Sequence, residues 1–121
     1  MRKSQLYING KLISAKKTYI RENPATMEPL QEVSLASKKD IDNACSSALT
    51  AFAVWSKTPP VVRGQMMFKI ANLIREKINL LSLINTQETG KPINESTLVE
   101  LGGVIRTFEY YAGLATKIKG N

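Results

Sequence analysis

The chain has 121 residues, 43% of them apolar and 22% charged, a formal net charge of +7, one cysteine and no histidine. That is long enough for one domain with a core. It excludes an internal disulfide, a metal site built on Cys and His, and a hydrolase that needs a histidine base. The positive charge is spread over Arg2/Lys3, Lys16/Lys17, Lys38/Lys39, Lys69, Arg75/Lys77 and Lys117/Lys119 with acids among them. Nucleic-acid binders more often gather such charge on one helix or interleave it with aromatics, so it reads here as a solvated surface. Met1-Arg2-Lys3-Ser4-Gln5 leads straight into a strand-like run with no apolar leader, and no window approaches the ~20 apolar residues of a membrane span. The expectation is a cytoplasmic chain with no membrane and no nucleic-acid partner.

Leu6-Tyr7-Ile8 and Lys11-Leu12-Ile13 flank Asn9-Gly10, a dipeptide suited to the positive φ angles of a type I′ turn. Thr18-Tyr19-Ile20-Arg21-Glu22 is rich in strand formers and stops at Asn23-Pro24, where the proline disfavours helix for the residue before it. Leu30 to Leu35 is a further strand. Ser37 is placed as an N-cap with Asp40 closing a capping box. From there Ile41, Ala44/Cys45, Ala48, Ala51/Phe52 and Trp55 recur at helical spacing. Thr58-Pro59-Pro60 ends that helix and starts the next, with Thr58 as cap and Pro59 at the first helical position. Val62, Met66, Ile70, Leu73, Ile74, Ile78, Leu81 and Ile84 form its stripe.

Glu88-Thr89-Gly90-Lys91-Pro92-Ile93-Asn94-Glu95 is the joint between two long helices. Gly90 suits a left-handed C-terminal cap and Pro92 suits the first turn of the next helix. Leu98, Leu101, Ile105, Phe108, Ala112 and Ala115 continue in an unbroken helical pattern. Gly102-Gly103 within it costs about 1 kcal/mol per glycine against alanine, which close approach of another backbone explains. The fold class expected is α+β: a short antiparallel β-meander over about residues 5–35, then three amphipathic helices over about 38–56, 60–89 and 92–119.

The residues assemble no active site. Neither a Gly-x-Gly-x-x-Gly turn nor a Gly-x-x-x-x-Gly-Lys-Ser/Thr loop occurs, so no phosphate-cradling loop is present. Cys45, on the apolar face of its helix, reads as an inert core thiol. Glu88 and Glu95 read as solvated or capping groups. Phe108 and Tyr111 share the inward side of the last helix while Tyr110 points elsewhere, and Trp55 is a partly buried anchor.

Several segments in register resemble the aldehyde dehydrogenase superfamily. Leu6-Tyr7-Ile8-Asn9-Gly10-Lys11 looks like its opening strand, and Asn23-Pro24-Ala25-Thr26 with Glu32-Val33 is similar to its second and third strands. Ala51-Phe52 with Trp55, Pro59-Pro60 with Arg63, and Glu88-Thr89-Gly90-Lys91-Pro92 with Glu95-Ser96 resemble its first helices and the turn after them. Tyr110-Tyr111-Ala112-Gly113-Leu114-Ala115, with Lys117 and Gly120, is similar to the end of its third helix. The resemblance covers essentially the whole chain but only the N-terminal quarter of the family's fold.

What the resemblance implies is an incomplete piece of the α/β cofactor-binding domain of an NAD- or NADP-dependent enzyme that oxidises an aldehyde to a carboxylic acid. Family members are usually homo-oligomeric. Their catalytic cysteine and glutamate and their cofactor-binding segments have no counterpart here, so no catalytic or cofactor-binding residue is assigned, no cofactor is expected to bind this chain alone, and Cys45 does not inherit the nucleophile's role. One site carries over: a monovalent cation held by the Glu88 carboxylate with the backbone carbonyls of Arg21 and Glu22, oxygens being what a hard cation prefers. Met27 stands where the family often has glycine, and a positive φ there strains methionine. Such a fragment is expected to be inactive by itself and to expose a contiguous apolar patch where the rest of the enzyme belongs. The alternative expectation is a basic helical interaction module that binds an acidic partner or a full-length relative.

Overall fold

A computed structural model describes residues 2–117. The chain divides into two units, Met1–Lys57 and Thr58–Asn121. No helix of the described residues is long and apolar enough to cross a membrane.

The first unit contains β1 (Arg2–Ser4), β2 (Leu6–Ile8), β3 (Lys11–Ile13), β4 (Lys17–Glu22), β5 (Pro29–Leu35) and helix α1 (Lys38–Trp55). The Asn9-Gly10 turn forms as its composition requires, with φ of 52° and 74°, and pairs β2 with β3 so that Leu6 faces Ile13 and Tyr7 faces Leu12. The strands do not make a simple antiparallel meander. β5 is the centre of a separate three-stranded sheet in the order β1-β5-β4, antiparallel to β4 but parallel to β1. β1 is three exposed polar residues, Arg2, Lys3 and Ser4, and so carries no alternation by which a strand is recognised. Lys3 secures it by pairing with Glu32 at 3.2 Å, and Thr18 on the opposite strand donates to the same carboxylate at 2.9 Å.

Between β4 and β5 the chain turns on Asn23. Its Oδ1 accepts from the Ala25 N–H at 2.9 Å, and its carbonyl accepts from Met27 at 2.7 Å. Met27 is held at φ 60°, the strained conformation expected for a residue standing where glycine is favoured. α1 opens on the expected capping box. The Ser37 hydroxyl accepts from the Asp40 N–H, and the Asp40 carboxylate accepts from the Ser37 N–H at 2.8 Å. No residue of α1 is buried. Cys45 is exposed and Trp55 is 44% exposed, so the core placement of the thiol is corrected. Periodicity shows which side of a helix is apolar; it does not show that a partner lies against it.

The second unit contains α2 (Pro60–Glu76), α3 (Ile78–Thr89), a π-helical segment (Glu95–Leu101) and α4 (Gly102–Leu114). The expected helix over 60–89 is therefore two helices, parted at Lys77, whose φ of −104° and ψ of 14° leave the helical region. Neither glycine nor proline marks the break, and the apolar stripe runs across it. α2 begins at Pro60, as the expected bounds have it, but Pro59 is the flanking residue rather than the first helical position, and no side chain caps the helix. The last helix, expected over 92–119, is also not uniform. It is helical to Leu114, and Ala115–Lys117 turn; the remaining expected helical positions, with Gly120 of the resemblance, lie outside the described residues.

α2 packs on α4 through small residues. Gly64 and Ala71 of α2 and Ile105 and Ala112 of α4 are buried, each pair seven residues apart on one face. A Cβ on Gly64 would come within 2.8 Å of the Ala112 carbonyl oxygen, so glycine is what allows this approach. The large side chains expected to form the inward stripe of α2 are largely outside it: Met66, Ile70 and Leu73 are each more than 40% exposed. The role expected of Gly102-Gly103 thus belongs to Gly64. An added Cβ at Gly103 meets nothing within 4 Å, and one at Gly102 meets chiefly the Arg106 side chain.

Candidate functional site

The joint after α3 is fixed by its own backbone and side-chain hydrogen bonds. Gly90 sits at φ 76°, the left-handed conformation expected of it, and its N–H closes α3 on the Thr86 carbonyl at 2.8 Å. Thr89 folds its hydroxyl back onto the Asn85 carbonyl at 2.7 Å. Beyond Pro92 the chain re-enters a helix, and Ser96, fully buried, bonds its N–H to the Pro92 carbonyl at 3.0 Å. The Ser96 hydroxyl then accepts from Asn85 Nδ2 at 3.2 Å and from Thr86 Oγ1 at 2.9 Å. These bonds staple the incoming helix to the outgoing one. Ser82, also fully buried, is the one buried residue of α3.

Lys91 spans the joint by an ion pair to Glu100. The Glu100 carboxylate, as hydrogen-bond acceptor and as charge, raises the Lys91 ammonium above its ordinary value, and Glu95 adds a smaller push the same way. The π segment between them has a physical consequence. Its wider turns, with the Gly102 N–H reaching back to the Thr97 carbonyl, rotate the residues before it out of phase with α4. Leu98 is accordingly 69% exposed, while Leu101 is half-buried and Ile105 buried. A pattern with an unbroken 3-4-3-4-3 spacing gives no sign of that extra residue.

The positions singled out in the sequence fall in both units of the chain. Glu88 is half-buried in the last turn of α3, in the second unit; Arg21 and Glu22 end β4, in the first. Among the described residues no group of three or more His, Cys, Asp or Glu side chains could hold a metal ion. Phe108 is half-buried on α4, but Tyr111 is 55% exposed, contrary to the inward placement expected of it. It meets Tyr110 edge to face, ring centroids 5.3 Å apart.

Two features lie beyond sequence reasoning. Gln31 is buried in β5, where neither alternation nor composition marks it. An open hollow of about 650 Å³ lies at the start of α1, lined in part by Lys16, Lys17 and Lys39. The amide dipoles there already face an anion, because the Asp40 carboxylate accepts from both the N–H and the hydroxyl of Ser37. Those two bonds, the hydroxyl's first, hold the Asp40 carboxyl below its ordinary value.

The comparisons with known proteins say which family these scaffold motifs belong to. The model of the aldehyde dehydrogenase family matches residues 12–121. The chain is 34% identical over 122 residues to the mouse (Mus musculus) retinaldehyde dehydrogenase 3, an alignment covering 97% of this chain and 24% of that protein. Its fold matches the NAD+ complex of an aldehyde dehydrogenase from Bacillus cereus with a TM-score of 0.95 and 32% identity, over 99% of this chain and 25% of that one. A similar match, with a TM-score of 0.94 and 30% identity, is to an NAD-dependent aldehyde dehydrogenase from Sinorhizobium meliloti, over 100% of this chain and 25% of that one. The chain belongs to the aldehyde dehydrogenase family. It spans about a quarter of the length of the relatives it matches and corresponds to their N-terminal portion.

Proposed function

We propose that this chain is the scaffolding N-terminal portion of an NAD- or NADP-dependent aldehyde dehydrogenase and that, by itself, it oxidises no aldehyde. The observation that carries the reading is the match over residues 12–121 combined with a chain that assembles no nucleophile, base or dinucleotide loop. Cys45, its one thiol, stands exposed on a helix with no base beside it in sequence, and the residues present do not fit a nicotinamide dinucleotide, for want of any phosphate-cradling turn. What the chain supplies is the rigid support on which such a site is completed: the α2–α4 pair and the joint stapled by Ser96.

The test has two arms. Purified chain with NAD or NADP and a panel of aldehydes should give no reduced cofactor above blank; turnover would overturn the reading. A chimera in which this chain replaces the matching quarter of the Bacillus cereus enzyme should fold and oxidise aldehydes, and an unfolded or inactive chimera counts against it. Oligomerisation belongs to the same proposal and is read from sedimentation of the chimera. So does the half-buried Glu88 carboxylate as a ligand for a monovalent cation. Glu88→Gln in the chimera should remove any dependence of activity or melting temperature on potassium, and an unchanged dependence would sink that assignment.

A further inference from the structure

α1 is a well-specified helix with almost nothing to lie against. Its 18 residues open on a complete capping box, yet none is buried. A helix of this length is marginal in water without tertiary packing. Its half-buried positions, Asp40, Ala44 and Ser47, fall on one side, and the strand it packs against is β2. Ile41, Cys45, Ala48, Phe52 and Trp55 form a second line roughly 90° round the helix from that side, at 3.6 residues per turn. Every member of this line is exposed, with Ile41 at 55% and Phe52 at 61%, and no charged residue interrupts it. Single exposed apolar side chains are ordinary on a protein surface, but a continuous uncharged line of them marks an interface.

The comparisons indicate what belongs there. The whole chain takes the conformation of one quarter of a folded dehydrogenase, with a TM-score of 0.95 over 99% of its length, and the other three quarters of that fold have no counterpart in it. An uncharged line does not suit an acidic macromolecule, whatever the net charge of the chain. We infer that the Ile41–Cys45–Ala48–Phe52–Trp55 face of α1 is the seat of the remaining three quarters of an aldehyde dehydrogenase fold, carried on the same polypeptide or on another. This inference rests on the reading proposed above and names the surface through which the scaffold meets its complement.

Cys45 provides the probe, since it lies in the middle of the line and is the only thiol of this chain. Alkylation is read by mass spectrometry at the peptide containing Cys45, in the free chain and in the Bacillus cereus chimera. In the free chain it should proceed at the rate of an open thiol. In the chimera it should slow by about tenfold or more, because a packed interface must open locally before reagent enters. A Cys45→Ala, Ser46→Cys variant moves the thiol off the line and should label alike in both. An active chimera whose Cys45 reacts as fast as in the free chain would overturn the inference while leaving the family reading intact. A chimera that neither folds nor turns over removes both. A free chain that sediments as a dimer with Cys45 already protected would assign the face to a second copy and overturn the inference as stated. Phe52→Glu gives an independent measure: it should leave the circular dichroism of the free chain unchanged and abolish soluble, active chimera, whereas Ser46→Glu should spare both.

Discussion

The two units of this chain are held together by different means. In Thr58–Asn121 the buried positions among the described residues are Gly64, Ala71, Ser82, Ser96, Ile105 and Ala112, small residues and one isoleucine that let helices approach closely. In Met1–Lys57 the one buried position among the described residues is Gln31, and its order comes from strand pairing, an Asx turn and a capping box. Local hydrogen-bonding devices can specify the shape of a segment while contributing little free energy, because most of the gain in folding comes from apolar surface taken out of water. The first unit is therefore well shaped and weakly held, and the second is held by packing.

The sharpest way to break that contrast is to truncate an apolar side chain in each unit. Ile105→Ala removes a side chain that is 6% exposed and should destabilise the second unit by about 2–5 kcal/mol, read from urea unfolding. Phe52→Ala removes a larger one that is 61% exposed and should change the stability of the free chain by less than about 0.5 kcal/mol. Equal effects would mean that the first unit has a core of its own.

Gly64→Ala probes the close approach itself. The new methyl must sit 2.8 Å from the Ala112 carbonyl oxygen, and overpacking of this kind costs about 1–3 kcal/mol. Alanine recovers about 1 kcal/mol of helix propensity, so a net loss near 1 kcal/mol is expected. A stabilised variant would show that α2 and α4 can part without penalty.

Met27→Gly tests the first unit in the opposite direction. Glycine reaches the φ of 60° without the clash that a side chain suffers, so the variant should gain about 1 kcal/mol. Thermal unfolding followed by circular dichroism would show a raised midpoint, and a lowered one would mean that the methionine side chain contributes more than the strain removes.

The legibility of the sequence divides along the same line. The turn at Asn9-Gly10, the Ser37–Asp40 cap and the left-handed Gly90 each depend on a few neighbouring residues, and each is foreseeable from them. The parallel pairing of β1 with β5 depends on residues some thirty positions apart, and Arg2-Lys3-Ser4 carries no pattern to announce it. The break at Lys77 and the π segment at Glu95–Leu101 alter helical phase without a glycine or proline before them. Cys45 and Tyr111 lie on apolar faces, from which an inward placement is expected, and the structure leaves both side chains exposed. The candidate site is harder still. Glu88 stands out only through resemblance, since a lone carboxylate at a helix end has no distinguishing spacing.

The smallest expected effects concern pH, and they should fall on opposite sides of neutrality for the two units. In the first unit the Glu32 carboxyl is held below its ordinary value, first by the Thr18 hydroxyl and then by Lys3, and the Asp40 carboxyl by the Ser37 cap. A group bound more tightly when ionised contributes stability above its unfolded value and loses it as pH falls through the folded one. The first unit should therefore weaken only as the solution is acidified past the ordinary carboxylate range. In the second unit the ammonium of Lys91 is raised by Glu100. Its contribution is complete below the ordinary lysine value and is lost as pH rises through the raised one. All three groups reach solvent from half-buried positions, so water and salt screen each contribution, and high salt should flatten both limbs. The measurement is hydrogen exchange resolved by peptide across acid and alkaline series, with Thr18→Val and Glu100→Gln as variants. Thr18→Val should flatten the acid limb in peptides of β4 and β5 alone, and Glu100→Gln the alkaline limb in those around the joint alone. A variant that altered protection equally in both units would show that they respond to pH as one body, and the contrast between a hydrogen-bonded half and a packed half would fail.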